Sequence, residues 1–405
     1  MIGRVSMQYK IQILVSLFFI LITYSHQSYA QTAHEEHATG CEAELLQVVQ
    51  TVQNGQLELA LKLIEEHLES YPKSRTAYLI KGDILLAMSS ELDQVGAQVP
   101  EQSEVLQGLK HQIKNRWNHT TEHIKISQKL YPLSLIDMGK HEHVMVADLP
   151  AGRLYLYKNS SEGPILVRDY YMSVGTQGYG KQVEGDNKTP VGVYSIYQYI
   201  DPRQLPDLYG DGAFPVDYPN LIDKYHSRTG YGIWLHGTPS ITYARAPLAS
   251  EGCFVLSNED LLDIAQFIDV ETRTPVILSD AITWVSKEEL LAKRRDYLAI
   301  LAAWKSDWEN IDTAAYLSHY STENFNLGKG DYRRWSDAKE DTNSRKTFIQ
   351  VDMDIESLFL YPGEKDMFVV KYTQRYLSNN FSSESNKEQY WQKDAKGNWR
   401  IIYEG

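Results

Sequence analysis

The sequence predicts an α+β multidomain protein with an N-terminal helical hairpin region, a central mostly-β domain and a C-terminal α+β cone. Three observations carry this. Apolar residues between Glu42 and Leu85 recur at helical spacing. Between Val144 and Leu278 they fall in short runs cut by Gly, Pro and Asp, the pattern of strands and turns. After Ser286 one long helical stripe gives way to four strand-like segments. At 405 residues the chain has room for two or three domains, and its 42% apolar content suffices for their cores.

Met1 to Ala30 reads as a secretory signal peptide. Arg4 and Lys10 form its positive end, Ile11 to Ile22 its apolar centre, and Ser28-Tyr29-Ala30 a small-x-Ala cleavage site. That centre is too short for a relaxed membrane span. No later run is apolar enough to cross a bilayer, so the mature chain is expected to be exported to the periplasm or cell envelope without an integral span. The net charge of −13 argues against nucleic acid as a partner. Only two cysteines are present, Cys41 and Cys253. Cys253 is expected to be free, and Cys41 to sit with His34 and His37 in a mobile tail after the cleavage site. No metal and no cofactor is expected.

Residues 31–140 are read as the helical region. Leu45, Val48, Val49 and Val52 make one stripe, and Leu57, Ala60, Leu61, Ile64 and Leu68 a second after the Asn54-Gly55 break. A third helix carries Ala77, Ile80, Ile84 and Leu85 beyond Tyr71-Pro72, and a fourth runs from Glu101 to about Lys129. Asn54-Gly55 through Pro72 resembles half of a tetratricopeptide repeat, a unit that needs company to be stable. Its expected role is packing against a neighbouring domain or a second copy of the chain. Lys110, His111, Lys114 and Arg116 read as a solvated basic face.

Residues 141–281 are read as the central domain. Ala151-Gly152 turns a hairpin between Val144–Val146 and Leu154–Tyr157. Ile165 to Val174 is one longer strand, and Val191 to Tyr197 another. From Asp201 to Arg228 the chain is irregular, suiting a lid or substrate wall. Ser257 opens a helix of capping-box type that runs to about Ile268, and Pro275 to Leu278 closes the domain.

Residues 284–405 begin with a second capping box at Ser286. Leu290, Tyr297, Leu301, Trp304 and Trp308 stripe one helix face. Strands follow at Thr347–Tyr361, Met367–Leu377, Glu388–Lys393 and Trp399–Tyr403, the last two joined by a Lys396-Gly397-Asn398 turn. This order is similar to the NTF2-like (SnoaL-like) cone, which encloses a pocket in some families and mediates dimers in others.

The chemistry is expected at Gly232-Ile233-Trp234-Leu235-His236-Gly237-Thr238 and Ser250-Glu251-Gly252-Cys253. Here a histidine ends one apolar run and a cysteine opens the next, 17 positions on. A free thiol titrates near pH ~8.5, so a nucleophilic cysteine needs a base beside it. The base in turn needs an acceptor to fix its ring, and the carbonyl of Gly237 suits that role. The amides of Gly252 and Cys253 are candidate oxyanion donors. Either residue alone reads as structural; the pair with its flanking glycines reads as catalytic.

These residues resemble the signature of the L,D-transpeptidase (YkuD-type) catalytic domain, a His followed after a gap by Ser/Thr-x-Gly-Cys. Thr189-Pro190-Val191-Gly192-Val193-Tyr194 resembles that fold's Thr-Pro-x-Gly-x-Tyr segment. Two features depart from the family. Glu251 stands where a histidine is frequent, and Val255 where an arginine often helps hold a substrate carboxylate; Arg245 is the candidate replacement. Ser250, Trp234 and Tyr231 are further candidates for substrate contact.

The resemblance implies peptidoglycan stem peptides as substrate. The Cys253 thiolate attacks the diaminopimelate–D-alanine bond, forms a thioester and passes it to an amine. With water as acceptor the enzyme is an L,D-carboxypeptidase, and the three-part order is similar to the cell-shape-determining L,D-carboxypeptidases of helical bacteria. A non-catalytic wall-binding scaffold is the alternative of another class. A homodimer through the helical or NTF2-like part is a further expectation.

Overall fold

The computed structural model describes residues 40–89, 104–122 and 130–405. The expected signal peptide, His34 and His37 lie outside the described residues.

Among the described residues the first part is formed by the helices α1 (Gly40–Gln53), α2 (Leu57–Ser70), α3 (Arg75–Ser89) and α4 (Glu104–Glu122). Their apolar stripes meet in one core of Leu45, Val48, Val49, Ala60, Ile64, Ala77, Ile80, Ile84 and Ile113. Cys41 belongs to that core and is fully buried, not part of a tail. A small thiol fits the crowded start of α1, where it lies 3.6 Å from His67 Nε2.

Arg116 is the second departure, because it is buried rather than solvated. It donates to Glu42 Oε2 through Nε at 2.9 Å and Nη2 at 2.7 Å, and its guanidinium lies 4.1 Å over the Tyr171 ring. Glu42 Oε1 accepts from Arg153 at 2.7 Å. Arg153 Nε donates to Asp169 Oδ1 at 2.8 Å, and Asp169 Oδ2 lies 2.8 Å from His119. These five side chains fasten the helices to the central domain. Each is at most 7% exposed, and burial on that scale is tolerable only because the charges are paired and hydrogen-bonded.

The central strands, in chain order, are β1 (Tyr131–Pro132), β2 (His143–Asp148), β3 (Arg153–Lys158), β4 (Ile165–Tyr171), β5 (Val174–Gly175), β6 (Gly192–Ser195), β7 (Ala213–Pro215), β8 (Trp234–His236), β9 (Leu248–Ser250), β10 (Phe254–Val255), β11 (Pro275–Ser279) and β12 (Trp284–Val285). Five make a sheet in the order β4-β3-β2-β11-β6, and three make a second in the order β10-β8-β7. One core joins them, with Met145, Leu156 and Tyr170 from the first and Phe214, Leu235 and Phe254 from the second. The strand expected over Ile165–Val174 is divided. Ser173 leaves the large sheet to exchange two 2.9 Å backbone bonds with Val255, and β5 then pairs with β9. Between them lie the short helix α5 (Leu221–Tyr225) and, capped by Ser257, α6 (Asn258–Ala265), which stops short of Ile268.

The C-terminal part has α7 (Lys287–Glu309), α8 (Thr313–Ser318) and α9 (Tyr332–Ser344) against an antiparallel sheet of β13 (Ile349–Leu360), β14 (Met367–Ser378), β15 (Phe381–Lys393) and β16 (Trp399–Glu404). Ser286 and Glu289 form the expected capping box. β15 starts earlier than expected, because polar Ser382 to Asn386 pair with β14 without an apolar alternation to announce them. A shared core of Val144, Tyr155 and Ile277 with Phe359, Val369 and Ile402 binds this part to the central domain. Among the described residues no helix is long and apolar enough to cross a membrane.

Candidate active site

Strands β8 and β10 run side by side and parallel, with Leu235 opposite Phe254 and His236 opposite Val255. Cys253 therefore falls level with Trp234. Alternation puts Cys253 and His236 on the same face of this ribbon, as diagonal neighbours. Leu256 N–H donates to the His236 carbonyl at 3.0 Å and continues the ladder.

His236 is 3% exposed. Its Nδ1 lies 2.7 Å from the Gly237 carbonyl. A carbonyl only accepts, so Nδ1 carries the proton and Nε2 is left as the basic nitrogen. Burial brings the imidazole down to about 4; the Gly237 carbonyl opposes this and the charge of Arg245 adds to it. The ring is thus neutral and ready to accept a proton at ordinary pH. Tyr209 lies edge-on to it at 5.0 Å and covers Trp234 at 5.0 Å.

Cys253 is half-buried and free, and its Sγ donates to the Gly232 carbonyl at 3.4 Å. Dense surroundings push the thiol up to about 11, against the Trp234 amide, Arg245 and Lys181, while Glu251 adds to the rise. The resting pair is a neutral thiol and a neutral imidazole, with no hydrogen bond between them among the described residues.

The loops around the pair are tightly specified. Gly252 has φ +126°, and a Cβ there would come within 2.9 Å of the Lys188 carbonyl, so only glycine fits. Ser250 is buried. Its hydroxyl donates to the Cys253 carbonyl at 2.6 Å and accepts from Gly252 N–H at 3.1 Å. Ser250 therefore shapes the cysteine turn, and the Gly252 amide is already engaged. Tyr231 stands 77% exposed at the rim, next to the Gly232 carbonyl that holds the thiol. Arg245 is half-buried. Its Nη2 donates to the Leu208 carbonyl at 2.8 Å, next to Tyr209, and its charge favours the Cys253 thiolate.

Residues 142–278 match the L,D-transpeptidase catalytic domain family, YkuD, and residues 296–405 match the Cds6 C-terminal NTF2-like domain. The chain carries an L,D-transpeptidase catalytic domain. Among solved structures, Bd1075 of Bdellovibrio bacteriovorus is 28% identical with a TM-score of 0.60, over 68% of this chain and 97% of that one. The helical cell shape determining protein Pgp2 of Campylobacter jejuni is 27% identical with a TM-score of 0.55, over 67% of this chain and 95% of that one. No curated protein matches the chain.

Three residues of this L,D-transpeptidase domain escape a reading of the sequence. Asn258 accepts from Thr238 N–H at 3.0 Å and Asp211 N–H at 3.2 Å, and donates to the Thr238 carbonyl at 2.9 Å. It ties the histidine loop to the Tyr209 turn. A Cβ on Gly237 would fall 2.1 Å from its Oδ1. Tyr209 comes from the irregular insertion and gives no motif. Lys181, buried, pairs with Asp186 at 2.7 Å. Burial opposes ionisation of Asp186, but Lys181 and three backbone amides outweigh it and hold the carboxyl at about 2. This pair fixes the loop before Thr189-Pro190.

Proposed function

We propose that the protein is an exported peptidoglycan enzyme of the L,D-transpeptidase family that uses Cys253 as nucleophile. The observation that carries the reading is the placement of His236 and Cys253 on one face of the parallel β8–β10 ribbon, with Nε2 of His236 unprotonated. Nε2 takes the thiol proton as Sγ attacks the carbonyl carbon at the L-centre of diaminopimelate. The carbon–nitrogen bond to D-alanine breaks, His236 returns the proton to the leaving amine, and a thioester remains. An acceptor then gives a proton to His236, attacks the thioester and releases the sulfur. Arg245 holds the carboxylate of the leaving D-alanine, in place of the arginine the family often carries after the cysteine.

With an amine as acceptor the product is a cross-link; with water it is a tripeptide. The likeness to a cell shape determining protein over nearly its whole length favours trimming as the second reading. The leader expected over residues 1–30 fits export.

Two measurements test this. Incubation with a carbapenem is expected to add one mass increment on Cys253, absent from Cys253→Ala; an unmodified wild-type protein would point to a wall-binding scaffold. Digestion of purified sacculi then separates the acceptors, since tripeptides alone mean hydrolysis and new dimers mean transfer.

A further inference from the structure

The segment from Thr238 to Ala249 joins the base to the nucleophile, and two side chains on it, two residues apart, are anchored in different parts of the molecule. Tyr243 packs against the core of the helical region beside Cys41 and Leu45. Its ring meets Tyr71 of the α2 end at 5.7 Å, and its hydroxyl lies against Cys41 and Ser257. Arg245 turns instead toward Tyr209 and Cys253, with Nη2 on the Leu208 carbonyl. The main chain between them is held on both sides. Thr238 Oγ1 donates to the carbonyls of Thr242 at 2.9 Å and Tyr243 at 3.2 Å, and Tyr171 and Ser173 donate to the Arg245 carbonyl at 3.0 and 3.2 Å.

The helices meet this segment at further points. Lys73 Nζ donates to the Ser240 carbonyl at 2.9 Å, and Gly108 approaches Ala246 so closely that a Cβ on it would lie 2.9 Å from Ala246 Cβ. Cavities of about 270 and 220 Å³ flank the tyrosine between helices and loop, and Tyr243 lines both. The ring therefore stands between the two cavities and plugs the seam there. The loop backbone from the ring to the arginine is tied into one hydrogen-bonded unit by Thr238, Tyr171 and Ser173, so moving the plug moves the arginine.

We propose that Tyr243 is a positioning residue: seated in the helical region, it sets the loop so that Arg245 faces the Cys253 groove, which makes the helices part of the device that recognises the substrate's terminal carboxylate. The proposal rests on the reading that Arg245 binds that carboxylate.

The experiment compares kcat/KM of the full chain on a tetrapeptide ending in D-alanine and on the same peptide ending in D-alaninamide. Wild type is expected to prefer the free acid on the order of 10- to 100-fold, the range of a hydrogen bond to a charged group. Arg245→Ala brings the ratio to about one. Tyr243→Ala is expected to do the same while the amide is processed at close to the wild-type rate, and Tyr243→Phe to restore the preference. Equal slowing of both substrates in Tyr243→Ala would reduce the residue to a structural role and overturn the proposal. So would an unchanged preference while Arg245→Ala loses it, and the Arg245 reading would then stand without it. Retained preference in Arg245→Ala removes both. Should Tyr243→Ala fail to fold, Gly108→Val decides, since it pushes Ala246 from the helix side; the same loss of preference is expected, and an unaltered ratio refutes the coupling.

Discussion

The two faces of the central domain treat buried titratable groups in opposite ways. On the helix-docking face, Glu42, Arg116, Arg153, Asp169 and His119 are buried and every carboxylate meets an opposite partner within 3 Å. At the candidate active site, His236 and Cys253 are surrounded by backbone carbonyls and rings, and burial drives both neutral, to about 4 and about 11. The difference teaches that burial alone does not decide charge; the count of compensating partners does. One face pairs its buried polar groups and holds domains together. The other keeps its proton on sulfur.

Four experiments press on that contrast, from the largest expected effect to the smallest. His236→Ala is expected to slow acylation of Cys253 by about 10²- to 10⁴-fold, the usual worth of a general base, with circular dichroism unchanged. A wild-type rate would remove the imidazole from the chemistry. Glu42→Ala leaves two buried guanidiniums short of their carboxylate and is expected to cost about 3–5 kcal/mol in urea denaturation. A loss below about 1 kcal/mol would mean that water relieves the charges and the docking face is no different from the groove.

Asn258→Ala strands two backbone amides and a carbonyl. It is expected to cost about 1–3 kcal/mol and, by loosening the histidine loop, to lower kcat/KM about tenfold or more; stability loss without a rate change would separate the latch from the site. The smallest effect is an absence of change. His236 is depressed, so its base form is lost only as pH falls through about 4. The thiol is raised, so it ionises only as pH climbs through about 11. Between roughly pH 5 and 9, kcat/KM is expected to stay flat; a rise and fall inside that window would mean a standing ion pair.

Much of this was legible in the residues. The hairpin at Ala151-Gly152, the capping box at Ser286, the N-cap at Ser257 and the Trp304–Trp308 stripe follow local rules that need no tertiary knowledge. The Cys253 segment is also local, because it couples a short strand to Gly252, whose φ of +126° calls for glycine. What sequence hides is contact between distant segments. Arg116 looks like one more lysine-rich helix face until Glu42, 74 positions earlier, closes over it. Asn258 looks like the first residue of a helix until the Tyr209 turn arrives to use its amide. The early start of β15 is hidden for another reason: its polar stretch has a partner strand but no buried face.

The tautomer of His236 bears on how such a site drifts over generations. The group that fixes its tautomer is a peptide oxygen, 2.7 Å away, one residue along the chain. No codon change deletes a main-chain carbonyl. Substitutions around the imidazole leave that acceptor in place; removing it takes backbone chemistry, such as an alkene isostere of the Gly237–Thr238 peptide built in by synthesis.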